Sequence, residues 1–174
     1  MVVVEGLRIL VTGGTFDKDY DMINGRLFFD RTHLPEMLEH GRCTLPIVFE
    51  QVMLKDSLDL TDDDRATIVD RCRLAEERRL VITHGTDTMV QTAHTLAAAT
   101  LEKTVVLTGA MIPYRFGTSS DGFFNLGAAL SFAQLLAPGV YVAMNGRYFP
   151  YDDVRKNRET GFFEALSEGP AAAR

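Results

Sequence analysis

The sequence predicts a three-layer α/β/α domain with a mostly parallel, flavodoxin- or Rossmann-like sheet, and three observations carry that expectation. Short apolar runs at Leu7–Val11, Leu80–Thr83, Thr104–Leu107 and Val140–Met144 read as buried strands. Stretches of helical spacing alternate with them, which implies crossover connections and a parallel sheet covered on both faces. Turns rich in Gly and hydroxyls follow the strands, and in such sheets ligands bind beyond the carboxyl ends of the strands.

Taken in order, Leu7–Val11 leads into Thr12-Gly13-Gly14-Thr15, and the apolar Met1–Val4 is too short for a signal segment and reads as a lead-in. Asn24-Gly25 is a turn signal between Tyr20–Ile23 and Arg26–Phe29, so a small hairpin or flap is expected there. Thr32 is placed to cap a helix that runs to His40 and stops at Gly41. Leu45–Leu54 is the second strand, followed by the loop Lys55–Leu60. Thr61 caps the next helix, whose first turn carries Asp62, Asp63 and Asp64 and which is expected to run to Arg79.

Leu80–Thr83 is the third strand, and helical spacing from Thr86 to Thr100 puts Met89, Ala93, Leu96 and Ala97 on one face. Thr104–Leu107 follows, then an irregular loop at Ile112–Ser120 and a helix over Asp121–Leu136. Val140–Met144 is the fifth strand, Gly146–Tyr151 an edge hairpin, and Asp152–Leu166 mostly loop.

The 174 residues suit one domain, assigned here to residues 1–168, with the small polar stretch 169–174 as a flexible tail. A net charge of −6 argues against a nucleic-acid or anionic-membrane surface, and no run is long enough to span a bilayer. Cys43 and Cys72 form neither a disulfide framework nor a metal-ligand spacing. Free thiols in a reducing compartment, and hence a cytoplasmic location, are the expectation.

The chemistry concentrates at the strand ends. Val81–Met89, V-I-T-H-G-T-D-T-M, turns from strand to helix and carries two hydroxyls, Thr86 and Thr88, with the carboxylate of Asp87 between them. A helix start exposes unpaired N–H groups that suit a carboxylate or a developing oxyanion. Thr12–Thr15 brings a further hydroxyl beyond two glycines, without the phosphate-binding fingerprint of a nucleotide site. A Thr hydroxyl needs a base to become a nucleophile. Tyr20 lies five residues on, within the flap, and Asp17 and Lys18 lie nearer; each of the three reads equally well as solvated surface. His84 is read as structural, bonded to backbone, and Lys103 as a surface residue. His33, His40 and His94 show no metal-ligand spacing.

These motifs, T-G-G-T at Thr12–Thr15, H-G-T-D-T at His84–Thr88 and V-V-L-T-G-A-M at Val105–Met111, together resemble the bacterial-type L-asparaginase family, as do D-G-F-F-N-L at Asp121–Leu126 and D-V-R-K at Asp153–Lys156. The resemblance covers nearly the whole chain, as that family's N-terminal catalytic domain. It implies hydrolysis of L-asparagine to L-aspartate and ammonia, without metal or organic cofactor. Residue by residue, it implies that Thr15 is a nucleophile forming an acyl-enzyme, helped by the flap residue Tyr20. It implies that Thr86 works with Asp87 and Lys156, its backbone N–H facing the oxyanion. Ser57 matches the residue that binds the substrate α-carboxylate, Asp87 the acid for its α-amino group, and Ala110 the carbonyl that accepts from the side-chain amide. Asp56 and Gly85 are counted in the same substrate-binding set.

Usual family members are about twice as long, as two domains would be, so the chain looks like a short, single-domain form. The acid and Asn that a second domain supplies to a neighbouring site have no match here. A non-catalytic asparagine- or amide-sensing module, and an asparaginase-like subunit of an amidotransferase, are the alternatives. Aromatics in the irregular segments, Phe28, Phe29, Tyr148, Phe149, Tyr151, Phe162 and Phe163, suggest a partner surface and a homodimer or homotetramer.

Overall fold

β1, Leu7–Gly13, buries Leu7, Ile9, Leu10 and Val11. Successive side chains on a strand point to opposite faces, so Leu7, Ile9 and Val11 enter one core layer and Leu10 the other. The same double burial holds for β5, Arg79–Thr83, and β6, Thr104–Thr108. That is why these strands read as continuous apolar runs rather than alternating ones. The computed structural model describes residues 6–169; the Met1–Val4 lead-in and the tail beyond Gly169 lie outside the described residues.

The main sheet has the order β4-β1-β5-β6-β7-β8, where β4 is Ile47–Lys55, β7 is Gly139–Met144 and β8 is Arg147–Pro150. All its pairings are parallel except that of β8 on β7. Helices α1, Leu34–His40, and α4, Gly122–Leu135, cover one face; α2, Asp62–Leu74, and α3, Met89–Ala98, cover the other. This is the three-layer, mostly parallel fold that the sequence predicts. Among the described residues, two ribbons lie outside the sheet: β2, Lys18–Asp21, with β3, Arg26–Phe29, and β9, Arg155–Lys156, with β10, Phe163–Glu164.

Thr61 caps α2 through a reciprocal box: its hydroxyl accepts from Asp64 N and the Asp64 carboxylate accepts from Thr61 N. The helix stops at Leu74, short of the expected Arg79. Ala75 is already extended, and Glu77 is drawn to β1, where Arg8 Nε donates to its carboxylate at 2.7 Å. Lys103, expected at the surface, donates its ammonium to Ala75 O at the same corner. α1 begins at Leu34 with His33 in the cap position, although Thr32 Oγ1 still accepts from Leu34 N at 3.2 Å.

α3 begins at Met89, not at the expected Thr86. The Thr88 hydroxyl donates to Ser57 O at 2.8 Å across the sheet end, which holds Thr86-Asp87-Thr88 as a turn in front of the helix. The aromatics expected on one partner surface are divided. Phe149 and Phe163 are buried in the α2/α3 layer, and Tyr148 packs edge-on against Phe132 and Tyr141. The stretch Asp152–Leu166, expected to be mostly loop, contains the β9–β10 ribbon.

Candidate active site at the carboxyl edge of the sheet

Because β4, β1, β5 and β6 run parallel, the segments after them emerge on one edge: Thr12–Thr15, Asp56-Ser57, Thr83–Thr88 and Thr108–Ala110. Two glycines let three of these segments touch. Gly14 has φ +77°, and a Cβ there would lie 2.3 Å from Gly85 N. A Cβ on Gly85 would lie 2.5 Å from Ser57 Cβ and Oγ. Only residues without a Cβ permit this spacing. Gly14 N donates to Lys55 O at 2.8 Å, fixing the first segment to the end of β4. Thr12 Oγ1 donates to Thr83 O at 2.7 Å and ties β1 to β5 just beneath the turns.

On this base stands a polar cluster. Lys156 Nζ donates to Thr86 Oγ1 and to Asp87 Oδ1, both at 2.8 Å. The Lys156 side chain is 13% exposed and that of Asp87 32% exposed, so the pair is half-buried at the mouth of the edge. The Thr86 hydroxyl donates to Met111 Sδ at 3.6 Å, which leaves its lone pairs to the ammonium. Arg158 adds a second positive charge 3.9 Å from Asp87. Ser57 is buried against Gly85, and Ala110 is buried beyond β6. Thr15 opens a short 3-10 turn, Thr15–Asp17, and its hydroxyl makes no hydrogen bond among the described residues.

Four sequence expectations change here. Asp17 is fully buried rather than solvated: its Oδ1 accepts from His33 N at 2.8 Å and Thr32 Oγ1 at 3.0 Å, and burial raises its carboxyl above the usual range. Tyr20 is 51% exposed on β2, its ring edge-on to Phe116 and its hydroxyl near Gly25 at the hairpin turn, so it is not brought to Thr15. Asp56 is held in an ion pair with Lys18 and accepts from Leu58 N at 3.1 Å. Burial pushes that carboxyl up, but Lys18 and the Leu58 N–H outweigh it, and the net shift is downward. Asp87 is likewise not in the first turn of a helix. Its close partner is the Lys156 ammonium.

His84 behaves as the sequence suggests. It is fully enclosed, with Nδ1 2.8 Å from Gly85 O and Nε2 2.8 Å from Thr92 Oγ1. The carbonyl can only accept, so Nδ1 carries the proton and Nε2 accepts from Thr92. Burial, together with the charge of Arg65, lowers its pKa to about 4. The unfolded chain takes up this proton near pH ~6.5. Between that pH and about 4 the unfolded state therefore binds more protons, and stability falls as the pH falls. The expected loss is roughly 3 kcal/mol by pH ~4 from this group. Urea titrations at pH ~7 and ~4.5 check it: His84→Asn, which keeps a donor for Gly85 O without a titrating ring, should show a clearly flatter pH dependence than the parent. Equal slopes would refute it.

Met111, Arg158, Asp121 and Asn125 are the contributors that sequence reasoning left without a role. Asp121 accepts from Met111 N and Ile112 N at 3.0 Å and shapes the segment beyond Ala110. The signal that marks it is an acid directly before a helix and next to a Gly. No helix among the described residues is long and apolar enough to cross a membrane. Nor do the described residues hold a group of three or more His, Cys, Asp or Glu suited to a metal ion.

Comparison with known proteins gives one family. The model of the family described as Asparaginase, N-terminal matches residues 6–173. L-asparaginase 2 of Escherichia coli K12 is 36% identical over 129 residues, covering 70% of this chain and 37% of that protein. The probable periplasmic L-asparaginase of Haemophilus influenzae is 34% identical over 168 residues, covering 88% of this chain and 47% of that protein. The solved thermostable L-asparaginase of Thermococcus kodakarensis superposes with a TM-score of 0.81 at 30% identity, over 92% of this chain and 51% of that one. L-asparaginase I of Vibrio cholerae gives 0.80 at 27% identity, over 94% and 52%. The chain thus spans about half the length of these relatives or less. With the fold, the four strand-end segments and the family match agreeing, the chain belongs to the asparaginase family, as its N-terminal domain.

Proposed function

We propose that this domain hydrolyses the side-chain amide of L-asparagine, yielding L-aspartate and ammonia through a threonine acyl-enzyme. The observation that carries the reading is the Lys156 ammonium held 2.8 Å from both Thr86 Oγ1 and Asp87 Oδ1, on a turn whose Gly85 touches the Thr15 segment through Gly14. In this reading Thr15 Oγ attacks the amide carbon. The C–N bond breaks, and the proton lost by the hydroxyl leaves with the nitrogen as ammonia. Water then cleaves the ester, its proton returning to Thr15. Thr86, polarised by Lys156, orients the water, and its backbone N–H faces the oxyanion. Ser57 receives the substrate α-carboxylate and Asp87 its α-amino group, with Gly85 giving the close backbone approach. Ala110 O accepts from the amide.

Tyr20 joins this set by movement of the β2–β3 hairpin, since it now rests on Phe116. Hinged hairpins that complete a site on closure are a common device. Asp56 acts at one remove, capping the turn that presents Ser57. Ammonia release by the purified protein tests the reading, with asparagine and glutamine compared at equal concentration. No release from either overturns it in favour of an amide-sensing module.

We further propose a cytoplasmic homodimer, able to pair into a tetramer. Unpaired Cys43 and Cys72 support the compartment. Exposed apolar groups at the hairpin tip support the assembly, with Met22 84% and Ile23 90% exposed beside Leu27 and Phe28. Light scattering at micromolar concentration should return at least twice the monomer mass; a fully active monomer would remove the assembly and leave the chemistry standing.

A further inference from the structure

Lys156 sits on β9, a two-residue strand whose strand partner among the described residues is β10. Its reach to Thr86 and Asp87 depends on what holds this small ribbon against the main sheet. Part of the answer is apolar: Phe163, Val154 and Ala165 enter the α2/α3 core layer. The directional part is a run of amide hydrogen bonds. Asn125, fully buried in α4, donates through Nδ2 to Gly109 O at 2.9 Å and to Asp121 Oδ2 at 3.0 Å. Its Oδ1 accepts from Asn145 N at 3.2 Å. The Asn145 side chain continues the run, Oδ1 accepting from Phe163 N at 2.9 Å. Phe163 stands opposite Lys156 in the β9–β10 register.

Asn145 therefore does two things at once. It occupies the left-handed region, φ 57°, in the tight turn with Gly146 (φ 76°) that joins β7 to β8. It also holds the backbone of β10. Glycine would satisfy the first requirement better than asparagine, because it carries no Cβ. The side chain is explained by the second. We propose that Asn145, backed by Asn125, is a positioning residue that fixes Lys156 over Thr86 and Asp87. This rests on the proposed amide hydrolysis only in that Lys156 is read as part of its machinery. A hydrogen bond is a directional constraint, and catalytic groups tolerate little displacement: an error of about 1 Å can cost on the order of 100-fold in rate.

The experiment uses two variants of the full chain. Asn145→Gly keeps the turn geometry and removes the acceptor. Asn145→Asp keeps an acceptor at the same place and still tolerates positive φ. In Asn145→Gly, amide exchange at Phe163, followed by NMR, should quicken about five- to tenfold, while core amides such as Val106 keep their protection. Asparagine turnover should fall about tenfold in kcat with KM unchanged. Asn145→Asp should bring both readouts back towards the parent. Unchanged exchange at Phe163, faster exchange with parental kcat, or no recovery in Asn145→Asp would each overturn the positioning role while the parent remains active. A parent that releases no ammonia overturns the hydrolase reading itself, and with it the role assigned to Lys156.

Discussion

Thr15→Ala and Thr86→Val are each expected to lower kcat for asparagine by at least ~10³, the scale observed when a group acting on the reacting atoms is removed. The two losses should differ in kind. Without Thr15 Oγ no acyl-enzyme forms, so rapid-quench mass spectrometry should detect no covalent adduct. Without Thr86 Oγ1 the adduct can still form and its hydrolysis should slow, so ester should accumulate. Folding should be nearly untouched in both. Among the described residues, Thr15 Oγ1 makes no hydrogen bond, and valine at position 86 gives up only the hydrogen bonds to Lys156 and Met111 Sδ. Near-normal turnover by Thr15→Ala would overturn the nucleophile assignment.

Lys156→Met should also abolish measurable turnover, with a moderate loss of stability. Methionine fills much the same volume without the ammonium, so Thr86 Oγ1 loses its donor and Asp87 its 2.8 Å partner. With Asp87 32% exposed, water takes over part of the lost bond, and Arg158 at 3.9 Å remains as a counter-charge. The cost should be about 1.5–3 kcal/mol, that of a hydrogen bond to a charged group, and below the penalty for a fully buried pair. Paired urea unfolding and ammonia assays check both halves. A variant that keeps half its turnover would remove Lys156 from the mechanism, whatever its stability.

What the sequence makes legible follows the range of the interaction responsible. The Thr61–Asp64 capping box spans three residues and is readable at sight. The buried strands and the four strand-end segments follow from local patterning and from the rule of parallel sheets. The start of α3 is not readable in this way, because it is set by a bond from Thr88 to Ser57 O, 31 residues away. Asp17 looks like surface until Thr32 and His33 are folded against it, 15 and 16 residues on. The division of the aromatics has the same origin. Phe149 and Phe162 carry similar local signals, yet one is core and the other 60% exposed, since strand pairing decides the outcome. The site itself is legible largely by motif, and motif does not show that Tyr20 rests on Phe116 or that Asp56 serves Lys18.

The abutment of Gly14, Gly85 and Ser57 has a consequence for how such a domain can change over generations. Two of the three contacting residues have no side chain, and the third has no room for a larger one. Substitution has nothing there to enlarge, trim or recharge, and any added carbon would push two strand ends apart. The floor beneath the substrate is thus closed to gradual adjustment. New preferences, for a longer amide for example, must arise on the rim, where the side chains of Met111 and Ile112 are exposed. A randomised library confined to that rim should yield folded variants with altered preference, whereas one aimed at the floor should return mostly unfolded chains.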